Sequence, residues 1–187
     1  MKMERRKLVL YASLFVAGVV SLIFDSNLTS ALPSIFNDNL ERIFYTLSEV
    51  VYLLLILTAI VITSLVHKKT KNLLRLFIAG IFGFLGSYFL KFMFQRPRPF
   101  GMTHESFLLN LPDFSFPSSH AVAVFAMLPI VMQAYPKFRW FFITFACLVA
   151  FSRFYLGLHY LSDVIFGALI GLLISDFVMN ATNLSKI

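Results

Sequence analysis

Charge and cysteine are both scarce in this sequence. Only 13% of its 187 residues are charged, against about 25% in an average soluble chain, while 59% are hydrophobic and the mean hydropathy is +0.82. The single cysteine, Cys147, excludes an intrachain disulfide. Neither cysteines nor carboxylates cluster in a way that predicts a metal site. We therefore predict one integral membrane domain over residues 1–187, with no metal and no cofactor.

Long apolar runs take the place of charge. A helix needs about 20 residues, within a range of about 17–25, to cross a bilayer. Six runs near this length predict an all-α fold, with six transmembrane helices in one bundle. The runs are Leu8–Phe24, Ile43–Val66, Leu73–Phe94, Ala121–Tyr135, Phe138–Leu156 and Ser162–Asn180.

The basic residues predict the orientation of this bundle. Eleven of the sixteen lysines and arginines lie before the first run, between the second and third, between the fourth and fifth, or near the C-terminus. Cytoplasmic loops carry an excess of basic residues, so we predict cytoplasmic termini. This placement of the +7 net charge argues against nucleic acid as a partner. The predicted topology does not explain four basic residues on the outward side of the membrane: Lys91, Arg96, Arg98 and Arg153.

Two outward segments flank the longest predicted loop. Lys91 falls on the last turn of the third run, and the prolines around Arg98 predict an extended exit from that helix. The loop ends on Ser118, Ser119 and His120, directly before the fourth run. Serines at a helix start are common N-caps. The free amides there equally suit an anion, and a histidine can supply a proton to a leaving oxygen.

The third outward segment holds Arg153, His159 and Asp163 within eleven residues. On a helix, His159 and Asp163 would share a face, so that the carboxylate holds one ring nitrogen. Many such pairs are only structural. An arginine at the membrane boundary is costly unless it faces the interior and binds an anion. The three segments together predict a site for a tetrahedral anion, since arginine matches phosphate oxygens.

These segments resemble the three-part signature of the type 2 phosphatidic acid phosphatase superfamily. The parts are Lys91-x6-Arg98-Pro99, then Pro117-Ser118-Ser119-His120, then Ser152-Arg153-x5-His159-x3-Asp163. The first and third parts match completely, whereas the second has Ser119 where glycine is common. The order and spacing of the signature are kept from residue 91 to residue 163. Soluble vanadium haloperoxidases share the signature, but the six apolar runs argue against that class.

The resemblance implies a metal-independent phosphatase that acts through a phosphohistidine. It implies that His159 is the nucleophile, that Asp163 orients it, and that His120 protonates the leaving oxygen. The phosphate ligands that it implies are Lys91, Arg98, Ser118, Ser119 and Arg153. Arg96, beside the first part, is either an auxiliary phosphate ligand or an ion-pair partner of Glu49, Glu105 or Asp113. Glu49 and Asp176 are expected to be buried hydrogen-bond partners.

The resemblance also implies a lipid phosphate as substrate and the bilayer as its source. Lipid A 1-phosphate is the leading expectation, with undecaprenyl pyrophosphate and phosphatidylglycerol phosphate as alternatives. A transporter or binder of lipid phosphates is the non-enzymatic alternative, although it gives the two histidines no clear role. The short chain and the outward site favour a bacterial inner membrane, with the site facing the periplasm or the cell exterior.

Overall fold

The structure is a computed structural model that describes residues 5–35, 37–66, 68, 70–101 and 114–182. Every regular element in these ranges is helical, as predicted for an all-α fold. Seven α-helices are present there. They are α1 (Arg5–Ala31), α2 (Asp38–Ser48), α3 (Val50–Val66), α4 (Thr70–Phe94), α5 (Ser119–Ala134), α6 (Arg139–Tyr155) and α7 (Leu161–Ala181).

Four segments of the described ranges are long and apolar enough to cross a membrane: Arg5–Ala31, Lys71–Phe94, Pro136–Tyr155 and Leu161–Ala181. Helix α5 is apolar but has only 16 residues. Large apolar side chains cover the outside of the bundle, with Phe77 68% exposed and Ile23 73% exposed. Such exposure is expected where a helix faces lipid instead of water. The six-span arrangement and the orientation of the termini stay predictions.

The second apolar run is not one helix, so the prediction of a continuous Ile43–Val66 segment is wrong. The chain is extended at Glu49 (φ −66°, ψ 136°), which separates α2 from α3. Helix α2 carries charged residues in its first turn and packs against α6 through Phe44, whose ring centroid is 4.9 Å from that of Tyr155. The break separates this polar helix from the apolar α3. Glu49 is exposed, so its prediction as a buried partner is also wrong.

Helix α7 packs closely against two other helices. A Cβ added at Gly171 would lie 2.5 Å from the carbonyl oxygen of Val122 on α5, and one at Gly167 would lie 2.9 Å from that of Ser118. Only glycine permits this approach. On its other side, α7 meets the buried stripe of α1, which consists of Gly18, Ser21, Asp25 and Thr29. These contacts bring the starts of α5 and α7 and the end of α1 together.

Candidate active site

The predicted site segments meet at one end of the bundle. The Ser118 amide donates to the Asp163 carbonyl at 3.1 Å, which joins the start of α5 to the start of α7. The Ser115 amide donates to the Arg96 carbonyl at 2.8 Å, which ties the exit from α4 to the same place. The amides of Leu158 and His159 donate to the Arg153 carbonyl at the end of α6. The structure therefore brings together the three segments that the sequence singled out.

His159 lies at the centre of this group and is only 2% exposed. Its Nδ1 atom is 2.7 Å from the Ser115 carbonyl oxygen. A carbonyl oxygen can only accept, so Nδ1 carries the proton. The other ring nitrogen, Nε2, lies 3.5 Å from Nη1 of Arg98. The imidazole thus presents its lone pair at Nε2 on the side where the cations lie.

Asp163 does not hydrogen-bond to His159, which corrects the expected pair. Its Oδ2 atom is 3.9 Å from Nδ1, beyond hydrogen-bond distance. The two residues do not share a helix, because His159 precedes Tyr160, the N-cap of α7. Asp163 is the third residue of that helix, and its Oδ2 accepts from the Tyr160 amide at 2.9 Å, as a capping residue does. The same oxygen accepts from the Ser115 hydroxyl.

Three cations surround the imidazole. Lys91, on the last turn of α4, donates to the Phe114 carbonyl, and Arg98 donates to the Leu158 carbonyl at 2.7 Å. Arg153, on the last turn of α6, donates from Nη1 to the Ser48 hydroxyl at 2.9 Å. Lys91 and Arg98 are less than a tenth exposed. The predicted positions of Lys91 in the helix and of Arg98 beyond its end are confirmed.

Burial, followed by the charges of Arg98, Lys91 and Arg153, lowers the pKa of His159 well below its ordinary value of 6.5. A buried imidazolium beside three other cations is unfavourable. His159 is therefore neutral at physiological pH. A neutral imidazole with an unprotonated Nε2 is a nucleophile, and the cations around it favour an incoming anion.

The start of α5 adds two hydroxyls and a second histidine. Ser118 occupies the N-cap position, but its side chain makes no capping hydrogen bond. Among the described residues, the buried Oγ atoms of Ser118 and Ser119 have no hydrogen-bond partner. Buried hydroxyls normally have one, so this pair fits a ligand that accepts hydrogen bonds. His120 follows on the first turn, and the charges of Arg153, Lys91 and Arg98 all act on it.

Arg96 lies in a separate cluster of acidic and hydroxyl groups. It donates to Asp163 Oδ1 at 2.6 Å, to Asp25 Oδ2 at 2.8 Å and to Ser162 Oγ at 2.7 Å. Its guanidinium also stacks on the Tyr160 ring, 4.0 Å from the centroid. Arg96 is thus occupied by carboxylates, and the structure does not support its prediction as an auxiliary phosphate ligand. Glu105 and Asp113, two of its suggested partners, lie outside the described residues, and the third, Glu49, is exposed.

Sequence reasoning missed Asp25, Ser115 and Ser162. Asp25 had a signal, because a carboxylate one residue after the apolar run Leu8–Phe24 lies at membrane depth if the helix continues. It does continue, to Ala31, and Asp25 is 2% exposed. Ser115 had no signal, since its main-chain carbonyl makes the contact with His159. Across the described ranges, no three His, Cys, Asp or Glu side chains converge as metal ligands would.

The opposite end of the bundle contains a partly buried carboxylate, whose side chain is 17% exposed. Asp176 on α7 accepts from the Lys7 ammonium at 2.7 Å and from the Tyr11 hydroxyl at 2.6 Å, both on α1. Asp176 is thus a hydrogen-bond partner, as predicted, but it is only partly buried.

The fold and the site define an all-helical membrane protein with a cation-lined anion site around a buried histidine. The family model of the PAP2 superfamily matches residues 49–186. This match covers well over half of the sequence. The chain belongs to the PAP2 superfamily.

Two curated relatives are similar in sequence. The undecaprenyl-diphosphatase of Sulfolobus acidocaldarius is 33% identical over 115 residues, which are 59% of this chain and 56% of that protein. The undecaprenyl-diphosphatase BcrC of Bacillus subtilis is 31% identical over 137 residues, which are 73% of this chain and 70% of that protein. The chain thus spans little more than half the length of the first of these relatives.

Two solved structures share the fold. The crystal structure of a transmembrane PAP2-type phosphatidylglycerolphosphate phosphatase from Bacillus subtilis has a TM-score of 0.71, with 22% identity over 94% of this chain and 97% of that one. Aquifex aeolicus LpxE has a TM-score of 0.67, with 22% identity over 84% of this chain and 95% of that one. These similarities support the all-α membrane architecture.

Proposed function

We propose that this protein is a metal-independent membrane phosphatase that hydrolyses a lipid phosphate or pyrophosphate through a phosphohistidine on His159. One observation carries the proposal. A neutral, buried imidazole has its protonated nitrogen held by the Ser115 carbonyl and its other nitrogen beside Arg98. This arrangement leaves Nε2 as the reactive atom, in a place where an anionic phosphoryl group is attracted.

In the first proposed step, the Nε2 lone pair of His159 attacks phosphorus and forms an N–P bond. The bond from phosphorus to the leaving oxygen breaks, and that oxygen takes a proton from the protonated form of His120. The phosphorylated imidazole is positively charged. The Ser115 carbonyl at Nδ1 and the Asp163 carboxylate, 3.9 Å away, stabilise this charge.

In the second proposed step, neutral His120 accepts a proton from water, and the water oxygen attacks phosphorus. The N–P bond breaks, inorganic phosphate leaves, and His159 returns to its neutral form. In both steps the phosphoryl oxygens carry the negative charge. Lys91, Arg98, Arg153 and the hydroxyls of Ser118 and Ser119 are the groups proposed to bind them, which is mainly electrostatic stabilisation.

For the substrate we propose a polyprenyl pyrophosphate, with undecaprenyl pyrophosphate first. The support is that the curated relatives at 31–33% identity are named undecaprenyl-diphosphatases. Lipid A 1-phosphate, the leading expectation from sequence, becomes the alternative together with phosphatidylglycerol phosphate.

We further propose that the site faces the outside of a bacterial inner membrane. Asn39→Cys in a Cys147→Ser background should then be labelled by a membrane-impermeant thiol reagent from outside, and labelling from the cytoplasm alone would reverse the orientation.

The test of function is phosphate release by the purified full-length protein in lipid nanodiscs with a metal chelator present. The panel contains undecaprenyl pyrophosphate, lipid A 1-phosphate, phosphatidylglycerol phosphate and phosphatidic acid. We expect the pyrophosphate to have the highest kcat/KM. His159→Ala should lower kcat by more than about 10³-fold while the lipid still binds, because the covalent step is lost.

The matched control is Asp176→Asn, which changes a partly buried carboxylate at the opposite end of the bundle and should keep its activity. Full phosphate release by His159→Ala would exclude the proposed nucleophile. Binding without turnover on every lipid by the unaltered protein would favour the non-enzymatic alternative, a lipid-phosphate binder or transporter.

A further inference from the structure

A largely buried cluster of charged groups lies behind the site, and the mechanism above uses only one of its members, Asp163. The carboxylates of Asp25 and Asp163 are 3% and 0% exposed, and Arg96 forms an ion pair with each of them. Ser162 joins the cluster, since its amide donates to Asp25 Oδ1 at 3.1 Å and its hydroxyl donates to Asp25 Oδ2. One guanidinium therefore bridges a carboxylate of α1 and a carboxylate of α7.

Such a cluster is an expensive way to hold helices together. Removing two carboxylates and a guanidinium from water carries a large desolvation cost, and apolar side chains of similar volume often stabilise a fold as well or better. The other charged contact between α1 and α7, Lys7 with Asp176, is a simple pair whose lysine side chain is 43% exposed. The cluster at Arg96 differs from that pair because it contains two nearly fully buried carboxylates and adjoins the site, which points to a role other than packing.

The cluster connects to the imidazole through an unbroken series of short contacts. Arg96 occupies Oδ1 of Asp163 at 2.6 Å, which leaves Oδ2 for the Ser115 hydroxyl. The Ser115 carbonyl then holds Nδ1 of His159 at 2.7 Å. The Ser115 amide donates back to the Arg96 carbonyl at 2.8 Å, so Ser115 is fixed to the same segment through its main chain as well.

We propose that Asp25 and Arg96 are positioning residues that set the orientation of the His159 nucleophile. This inference rests on the proposed function, because it takes His159 as the attacking group. Asp25 holds the Arg96 guanidinium in place, and Arg96 fixes the rotation of the Asp163 carboxylate. Asp163 then fixes Ser115, whose carbonyl directs Nε2 at phosphorus. A displacement of about 1 Å at a reacting atom costs roughly 100-fold in rate, so this support affects turnover more than binding.

The experiment compares Asp25→Asn, Arg96→Gln, the double variant Asp25→Asn/Arg96→Gln and the conservative Arg96→Lys in nanodiscs. Asp176→Asn is the matched control, since Asp176 also pairs with a cation and a hydroxyl on α1. For each protein we measure kcat and KM for undecaprenyl pyrophosphate, or for whichever panel lipid the unaltered protein turns over fastest. We also measure competitive inhibition by inorganic phosphate, inhibition by vanadate and the melting temperature. Vanadate mimics the five-coordinate phosphorus bonded to Nε2, whereas phosphate needs only the cations and hydroxyls.

We expect Asp25→Asn to lower kcat by about tenfold and Arg96→Gln by about 100-fold, the range typical of groups that orient a reactive residue. Vanadate inhibition should weaken by a similar factor, while KM and phosphate inhibition stay within about twofold because Lys91 and Arg98 are intact. The double variant should be no slower than Arg96→Gln, because both changes act through one series of contacts. Arg96→Lys should recover part of the lost kcat.

The proposal is overturned if Asp25→Asn keeps full kcat and full vanadate inhibition. It is also overturned if vanadate and phosphate inhibition weaken equally, or if the melting temperature falls while kcat stays like that of Asp176→Asn. Asp25→Asn changes the shape of the side chain least and keeps the test valid if Arg96→Gln does not fold. Failure of the proposed function would look different, since the unaltered protein would then release no phosphate or His159→Ala would be fully active.

Discussion

The two ring nitrogens of His159 face two different environments. Nδ1 faces a fully bonded group in which carboxylates, hydroxyls and Arg96 satisfy one another, ending at the Ser115 carbonyl. Nε2 faces a group dominated by positive charge, in which Lys91 and Arg98 donate to main-chain carbonyls and two serine hydroxyls remain without a partner among the described residues. The groups at Nδ1 satisfy one another's hydrogen bonds, whereas the groups at Nε2 are complementary to an anion.

This difference between the two environments orients the imidazole ring. The side that faces Nδ1, here called the matched side, fixes the ring and the position of its proton, so it needs short and mutually satisfied hydrogen bonds. The cationic side, which faces Nε2, stabilises negative charge on a ligand, so it needs several positive groups close together. Arg96 and Arg98 are only two residues apart, yet Arg96 belongs to the first group and Arg98 to the second.

The largest expected effect is on the cationic side. Arg98→Ala should lower kcat by about 10²–10³-fold, as the loss of one preorganised donor to a developing charge does. Arg98→Lys should recover only part of this loss, because an ammonium lacks the planar fork of the guanidinium. The measurement is phosphate release in nanodiscs.

Arg139→Ala is the matched control, because it removes an arginine that stacks on Trp140 outside the site. If Arg98→Ala were as active as this control, the cationic group would have no part in turnover.

A smaller effect is expected on the matched side. Ser115→Ala removes the hydroxyl that bonds to Asp163 but keeps the carbonyl that holds His159. A hydrogen bond to a charged group contributes about 1.5–3 kcal/mol, and part of this contribution should appear as a roughly tenfold lower kcat with KM unchanged.

Ser175→Ala, which changes a buried serine on α7 outside the site, serves as the control. A loss as large as that of Arg98→Ala would mean that the two sides of the ring are not functionally distinct.

The smallest expected effect is a shift in the pH dependence of kcat/KM. Because the pKa of His159 is lowered below 6.5, the imidazole stays neutral to lower pH, and the acid limb of kcat/KM that belongs to His159 lies below 6.5. Lys91→Gln removes one of the charges that lower this pKa, so the limb should move to higher pH by roughly one unit or less. Lys91→Arg keeps the charge and should leave the limb in place.

The same pKa shift affects stability. The unfolded chain takes up the His159 proton more readily than the folded protein, so the free energy of unfolding falls as the pH drops through 6.5.

An acid limb of kcat/KM that stays in place in Lys91→Gln would show that this lysine does not act on the imidazole.

Several features of the site followed from sequence because they are local. The prolines around Arg98 ended α4 at Phe94, near the predicted place, and left Lys91 on the last turn. The expected extension of α6 to about Leu156 agrees with its end at Tyr155, which places Arg153 on the last turn. The predicted N-terminal position of Ser118 and Ser119 agrees with the start of α5.

Other features depend on contacts between distant segments, and sequence reasoning missed or misassigned them. The spacing of His159 and Asp163 predicted a direct pair, but α7 begins between them and turns Asp163 toward Ser115 and Arg96. The break at Glu49 was hidden because apolar residues recur through the whole run from Ile43 to Val66. Asp25 acquired its partners only because α1 continues past the apolar run and meets α7.

The sequence by itself determined the class of fold, the residues of the signature and their order along the chain, because apolar length, proline positions and motif spacing are properties of short segments. Only the tertiary structure decided which nitrogen of His159 lacks a proton and which arginine faces it. It also decided that a main-chain carbonyl, held by a carboxylate and an arginine from other segments, orients the ring. The physical reason is that a hydrogen bond forms at about 3 Å between particular atoms, and the packing of α1, α5 and α7 sets those distances.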